Sequence, residues 1–200
     1  MNKNLIYSII VFIIIYLQHG YCLYYLSNTM ANKYENNIYL RDNIQEMLPD
    51  ANLKWISDYI PTIFLVITLF LVIKYNELDK FLYVVSILLL IKNISCTITL
   101  FPVPNGFKNH VKCNEKFQLK HILYGKCGDL MFSVHTALFI VFVLFLIRYG
   151  LNRIIGIVFI VLYSLIIVAQ KEHYSIDVFI AYFMVYFAYT VIVTTKFKKK

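Results

Sequence analysis

The chain predicts an all-α, polytopic membrane protein: a six-helix transmembrane bundle forming one domain over residues 1–200. Three observations carry this. The 200 residues are 60% hydrophobic and 15% charged, against roughly half and a quarter in an ordinary soluble domain. The apolar residues come in blocks of about 20, enough to cross a hydrocarbon layer of roughly 30 Å. Mean hydropathy is +0.67, and the polar residues collect in the turns between blocks.

The first block, 5–26, follows the basic start Met1-Asn2-Lys3-Asn4. It runs long for a signal peptide and shows no clear small-x-small cleavage site before Tyr21-Cys22, so a retained helix is expected. Ser27 to Lys54 is polar and Asn-rich, a loop with a short interfacial helix near Asn43 to Leu48. The second helix spans 55–75. Trp55 is placed as a headgroup anchor, and Pro61 lies in the first turns, where proline is tolerated. After a tight turn at Lys74 to Lys80, the third helix spans 81–100 and contains Lys92. It stops at Pro102-Val103-Pro104. The loop Asn105 to Lys126 holds five lysines. Helices at 127–147, 154–169 and 173–195 follow, and the chain ends in Lys196-Phe197-Lys198-Lys199-Lys200.

The net charge of +8 shows no basic helix or stacking platform of the kind nucleic acid requires. Its lysines lie in loops and at the C-terminus, where they meet headgroups and set orientation. With a cytosolic N-terminus each face carries nine basic residues. Those of the Lys3, Lys74, Lys80, Arg148, Arg153 set are packed into the shorter segments, so that face is assigned to the cytosol. The four cysteines lack zinc-site spacing. Cys113 and Cys127 flank one loop, and either a disulfide or two free thiols is compatible with that placement.

Ionisable residues inside an apolar bundle are costly and point to function. In His173-Tyr174-Ser175-Ile176-Asp177 the imidazole and carboxylate are four residues apart on one helix face. A carboxylate so placed orients a histidine and stabilises its charged form, as a nucleophile or base requires. In Cys127 to Thr136, Asp129, Ser133 and Thr136 share a stripe at helical spacing, and His135 lies roughly 120° from Asp129. Helix–helix hydrogen bonding is the plainer use for Ser133 and Thr136. The fourth and sixth helices both enter from the non-cytosolic side, which brings His135 and His173 near one leaflet. Two histidines and a carboxylate at one depth suit phosphoryl chemistry. Lys92, mid-helix, is placed to bind phosphate or pair with an acid.

These segments resemble the sphingomyelin synthase family, a branch of the lipid phosphate phosphatase superfamily. Cys127-Gly128-Asp129 through Ser133-Val134-His135-Thr136 is similar to its C-G-D-x-x-x-S-G-H-T motif. His173 to Val178, with Ala181-Tyr182 after it, is similar to H-Y-(S/T)-x-D-V. Thr97 to Pro104 and Leu48-Pro49-Asp50 resemble two further elements, and Lys92 falls where the family carries an arginine. The likeness is collinear from about residue 47 to 190.

The resemblance implies transfer of a phospho-headgroup from a glycerophospholipid to ceramide, giving a sphingophospholipid such as sphingomyelin plus diacylglycerol, without a metal or other cofactor. His135, His173 and Asp177 would be catalytic, with Asp129, Ser133 and Lys92 as phosphate-binding candidates. The partners would be membrane lipids, ceramide and the donor, in an endomembrane or plasma membrane with the site facing lumen or exterior. The donor headgroup stays open among choline, ethanolamine and inositol. Two departures stand out: Val134 replaces the motif glycine, which permits close backbone approach, and Lys92 loses the bidentate geometry of arginine. Transfer to diacylglycerol or a lipid phosphate phosphatase is the nearest alternative, although no arginine precedes Pro49, Pro102 or Pro104 as the phosphatase element needs. A catalytically inactive lipid-binding or transport homologue is the alternative of another class.

Overall fold

In a computed structural model, which describes residues 3–30, 40–49, 53–98 and 131–194, the chain is all-helical, with no strand among the described residues. Its elements are α1 (Lys3–Met30), the short α2 (Asn43–Met47), α3 (Lys54–Lys74), α4 (Leu78–Ile98), α5 (Val134–Arg148), α6 (Arg153–Ala169) and α7 (Ser175–Tyr189), which runs on into a π turn at Thr190–Thr194. Helix α1 packs on α4, while α5 is surrounded by α3, α4, α6 and α7. That position follows from composition. Ala137, Phe139 to Val143, Phe145 and Leu146 of α5 are all buried, as expected of a helix that is apolar all round. The outer helices instead expose apolar stripes, such as Tyr7, Ile10, Ile14, Leu17 and Tyr21 on α1, at the three- and four-residue spacing of one helix face.

Among the described residues, four helices are long and apolar enough to cross a membrane: 3–24, 55–74, 78–98 and 175–194. There are two further long helices among these residues, but α5 has 15 residues and α6 has 17. At 1.5 Å per residue these reach about 22 and 26 Å, short of the roughly 30 Å core. Four helices among the described residues thus reach the expected full span; of the two shorter ones α5 is enclosed by its neighbours, whereas α6 exposes Ile154, Ile157, Val158 and Leu162. The chain is an integral membrane protein, helical throughout its described secondary structure.

The expected boundary that fails is the start of the fourth helix. It was placed at Cys127, yet Met131 to Ser133 are not helical and α5 begins at Val134. Phe132 has φ +47, which no right-handed helix accommodates, and Ser133 Oγ accepts the Thr136 N–H at 3.2 Å as the N-cap. Similarly, the last helix begins at Ser175, not at His173. Residues 99–130 lie outside the described residues, and with them Asp129 and the Cys113–Cys127 pairing; Asp50 and the C-terminal lysines lie outside them too.

Pro61 illustrates how the bundle repairs its own defects. Proline has no N–H to offer the carbonyl four residues back, which is that of Ser57. The buried Tyr163 hydroxyl of α6 donates to this carbonyl at 3.1 Å instead.

Candidate active site

Both predicted histidines stand just at or before a helix start, at the same end of the bundle. Each follows a tight turn containing a left-handed residue: Phe132 (φ +47) before His135, and Lys171 (φ +58) before His173. His135 is the second residue of α5, not two turns in as the longer helix implied. This correction brings it level with His173. The two rings lie 6.3 Å apart, centroid to centroid, tilted by 54°.

Behind His173 stands Asp177, wholly buried. Its Oδ2 lies 3.7 Å from His173 Nδ1, beyond hydrogen-bond reach. The same oxygen accepts the Tyr174 N–H at 3.1 Å, which anchors the carboxylate at the first turn of α7. His173 Nδ1 and Asp177 Oδ1 make no hydrogen bond. Leaving such buried groups unmet costs about 1–3 kcal/mol each. A small rotation of the imidazole toward Asp177 would join Nδ1 to the carboxylate and leave Nε2 as the outward nitrogen.

Two links tie the histidine arms into one unit. The Ser133 N–H donates to the Asp177 carbonyl at 3.1 Å, joining the start of α5 to α7. Lys92, 1% exposed, donates its ammonium to the carbonyls of Phe132 at 2.7 Å and Met131 at 3.1 Å. The ammonium also sits 5.4 Å from the Phe132 ring centroid, within cation–π range. Through these contacts the cation holds the left-handed turn that presents His135. Ser133 is likewise buried, and its hydroxyl also accepts from Thr136 Oγ1 at 3.0 Å. Ser133 caps the helix instead of lying on its face, and Asp129, the third residue of the expected stripe, lies outside the described residues.

Val134, in place of the motif glycine, is the first residue of α5 and packs against the core. It is not among the positive-φ residues, so glycine's conformational freedom is not needed here.

Several residues around the site escaped the sequence reading. Gln45 donates Nε2–H to the His173 carbonyl at 3.0 Å, and Asp42 accepts the Ser175 N–H at 2.6 Å. Gln170, buried at the end of α6, accepts the Ser57 hydroxyl at 3.2 Å. The pattern Asp42-Asn43-Ile44-Gln45-Glu46 does signal a helix N-cap, but nothing in it announces a partner more than 120 residues away. Among the described residues no group of three or more His, Cys, Asp or Glu is arranged to hold a metal.

Comparison with known proteins bears on the same stretch. Residues 126–195 match the PAP2 superfamily C-terminal family model. A phosphatidylinositol:ceramide inositolphosphotransferase of Oryza sativa subsp. indica is 42% identical over 67 residues, covering 32% of this chain and 20% of that protein. Phosphatidylinositol:ceramide inositolphosphotransferases 2 and 3 of Arabidopsis thaliana are 42% and 40% identical over 67 residues, 32% of this chain and 22% and 23% of theirs. The matched stretch thus spans about a fifth of the length of these relatives. The chain is similar to the PAP2 superfamily C-terminal family over residues 126–195, and over 67 residues to these inositolphosphotransferases.

Proposed function

We propose that this chain transfers a phospho-headgroup from a glycerophospholipid to ceramide, with His173 carrying the phospho-headgroup through a P–N bond between the two half-reactions. The observation that carries the reading is the pair of imidazoles 6.3 Å apart with a buried carboxylate 3.7 Å behind one of them. In-line displacement needs a nucleophile about 3 Å from phosphorus and an acid within hydrogen-bond reach of the leaving oxygen. The two reacting nitrogens must then span roughly 6–7 Å, a separation that rings 6.3 Å apart between centroids can supply.

In the first half-reaction His173 Nε2 attacks phosphorus, the bond from phosphorus to the diacylglycerol oxygen breaks, and His135 gives its proton to that oxygen. Asp177 holds Nδ1 and offsets the positive charge developing on the ring. In the second, the ceramide hydroxyl gives its proton to His135 as its oxygen attacks phosphorus, and the P–N bond breaks to restore His173. Phosphatidylinositol is the first donor to test, since the relatives named above are inositolphosphotransferases; choline and ethanolamine donors follow. The site faces lumen or exterior, in an endomembrane or the plasma membrane.

The test is to supply membranes containing the protein with fluorescent ceramide and one defined phospholipid at a time, and to identify products. A new ceramide phospholipid that disappears in His173→Ala is expected. Absence of product with every donor overturns the reading, and product that survives His173→Ala removes the proposed nucleophile.

A further inference from the structure

The chemistry above makes no use of α2, yet α2 and the residues before it hold three consecutive residues of the histidine arm. Gln45, 6% exposed, donates to the His173 carbonyl at 3.0 Å. The Leu40 N–H donates to the Tyr174 hydroxyl at 3.2 Å. Asp42 takes both donors of Ser175: the N–H at 2.6 Å on Oδ2 and the hydroxyl at 3.0 Å on Oδ1. Its Oδ1 also accepts the N–H groups of Ile44 and Gln45 at 3.0 and 3.1 Å. One carboxylate thereby caps α2 and the first turn of α7 together. Leu48, just past α2, packs on the core and seats the segment.

The placement has a physical consequence. His173 precedes α7, so no helical ladder sets its backbone. Its orientation depends on what grips the chain from outside. Gln45 grips its carbonyl and Asp42 grips the helix start two residues on.

We propose that Asp42 and Gln45 are positioning residues for phosphoryl transfer: a clasp formed by residues 40–48 fixes the main chain of His173 to Ser175, so that the imidazole stands between Asp177 and His135. This rests on the reading of His173 as nucleophile. Neither residue touches a reacting atom. Their effect is expected in turnover, because a displacement near 1 Å at a reacting group costs about a hundredfold in rate.

The test uses the full chain in vesicles, with Gln45→Glu, which keeps length but removes the donor, Gln45→Ala, and Asp42→Asn, which keeps one acceptor oxygen. Two quantities are measured: kcat and KM for ceramide, and amide hydrogen exchange along the chain by mass spectrometry. In Gln45→Glu, kcat should fall about ten- to a hundredfold with KM within about twofold. Exchange at 173–178 should quicken about tenfold while α4 and α5 are unaffected. Asp42→Asn should fall between that variant and the unaltered protein. Unchanged kcat with unchanged exchange overturns the proposal, as does faster exchange spread evenly over all helices, the mark of a merely structural role. If the unaltered protein makes no transfer product, the headgroup-transfer reading fails and the exchange pattern alone judges the clasp. If Gln45→Ala does not accumulate, the same criteria apply to Gln45→Glu and Asp42→Asn.

Discussion

The two ends of α5 hold polar clusters of opposite character. At its start His135, His173 and Asp177 gather with hydrogen-bonding capacity left over, at His173 Nδ1 and Asp177 Oδ1. At its end, about 20 Å away along the helix, Glu77 is saturated. Arg148 grips its carboxylate with two N–H groups at 2.7 Å each, Lys80 approaches Oε1 at 2.5 Å, and the Tyr149 hydroxyl donates to Oε2 at 2.9 Å. The Tyr75 and Tyr149 rings stack beside this cluster at 4.6 Å. One cluster spends its capacity on holding helices together. The other keeps capacity in reserve, as a site that must bind and release a reacting group requires.

The largest expected effect is on turnover, and it separates the two ends. Asp177→Asn leaves the imidazole without its counter-charge and should lower headgroup transfer on the order of a thousandfold. Glu77→Gln should leave transfer per folded molecule within about twofold, measured on the same vesicles. A strong loss of turnover in Glu77→Gln would break the division between a chemical end and a structural end.

Next comes Lys92, which belongs to the chemical end but acts as the other end does. Lys92→Met strands two buried carbonyls and frees the left-handed turn at Phe132. It should cost about 3 kcal/mol of stability, read as a lowered unfolding midpoint in detergent. Lys92→Arg restores donors and should recover part of that loss. A Lys92→Met protein that is fully stable yet inactive would instead support direct contact with phosphate.

How much of this was legible in the sequence depends on the range of the interaction. Apolar blocks of about 20 residues are a local signal, so α1, α3, α4 and α6 begin and end within a few residues of expectation. The start of α5 was missed because Met131 and Phe132 continue the apolar run, while the turn depends on a φ held by Lys92 from a distant helix. The meeting of His135 with His173 followed from counting helix directions. The grip of Gln45 on His173, and that of Arg148 on Glu77, had no such signal. Each joins residues far apart in the chain, across 128 and 71 positions, and Arg148 read only as a basic residue at a helix end.

At the structural end, acid is the sharper probe. Hydrogen bonding from Arg148, opposed by burial and helped by Lys80 and Tyr149, lowers the Glu77 pKa from 4.5 to about 2. A depressed carboxylate contributes stability that is fully present above its unfolded pKa and lost as pH falls through its folded one. The contribution should therefore fade between pH 4.5 and about 2. It amounts to at most about 3 kcal/mol, reduced by screening because the Arg148 side chain is 38% exposed. Glu77→Gln should lose about 2 kcal/mol at neutral pH and converge with the unaltered protein under acid, as unfolding midpoints across pH would reveal. A constant gap at all pH values would mean that shape, not charge, holds this end.

Tyr149→Phe tests the same cluster more gently and carries the smallest expected effect. The change deletes one hydroxyl and keeps the ring, so the stacking on Tyr75 survives and Arg148 still holds both carboxylate oxygens. Loss of one hydrogen bond to a charged acceptor is worth about 1.5 kcal/mol. Burial and the neighbouring Glu77 push the Tyr149 phenol above its ordinary range, so it is the protonated hydroxyl that donates at neutral pH. Removing that donor should raise the Glu77 pKa slightly, so that its acid loss is smaller and complete at a higher pH. Headgroup transfer should be untouched, because nothing at this end reaches the histidines. A Tyr149→Phe protein of unchanged stability would assign the hold on Glu77 to Arg148 and Lys80 alone.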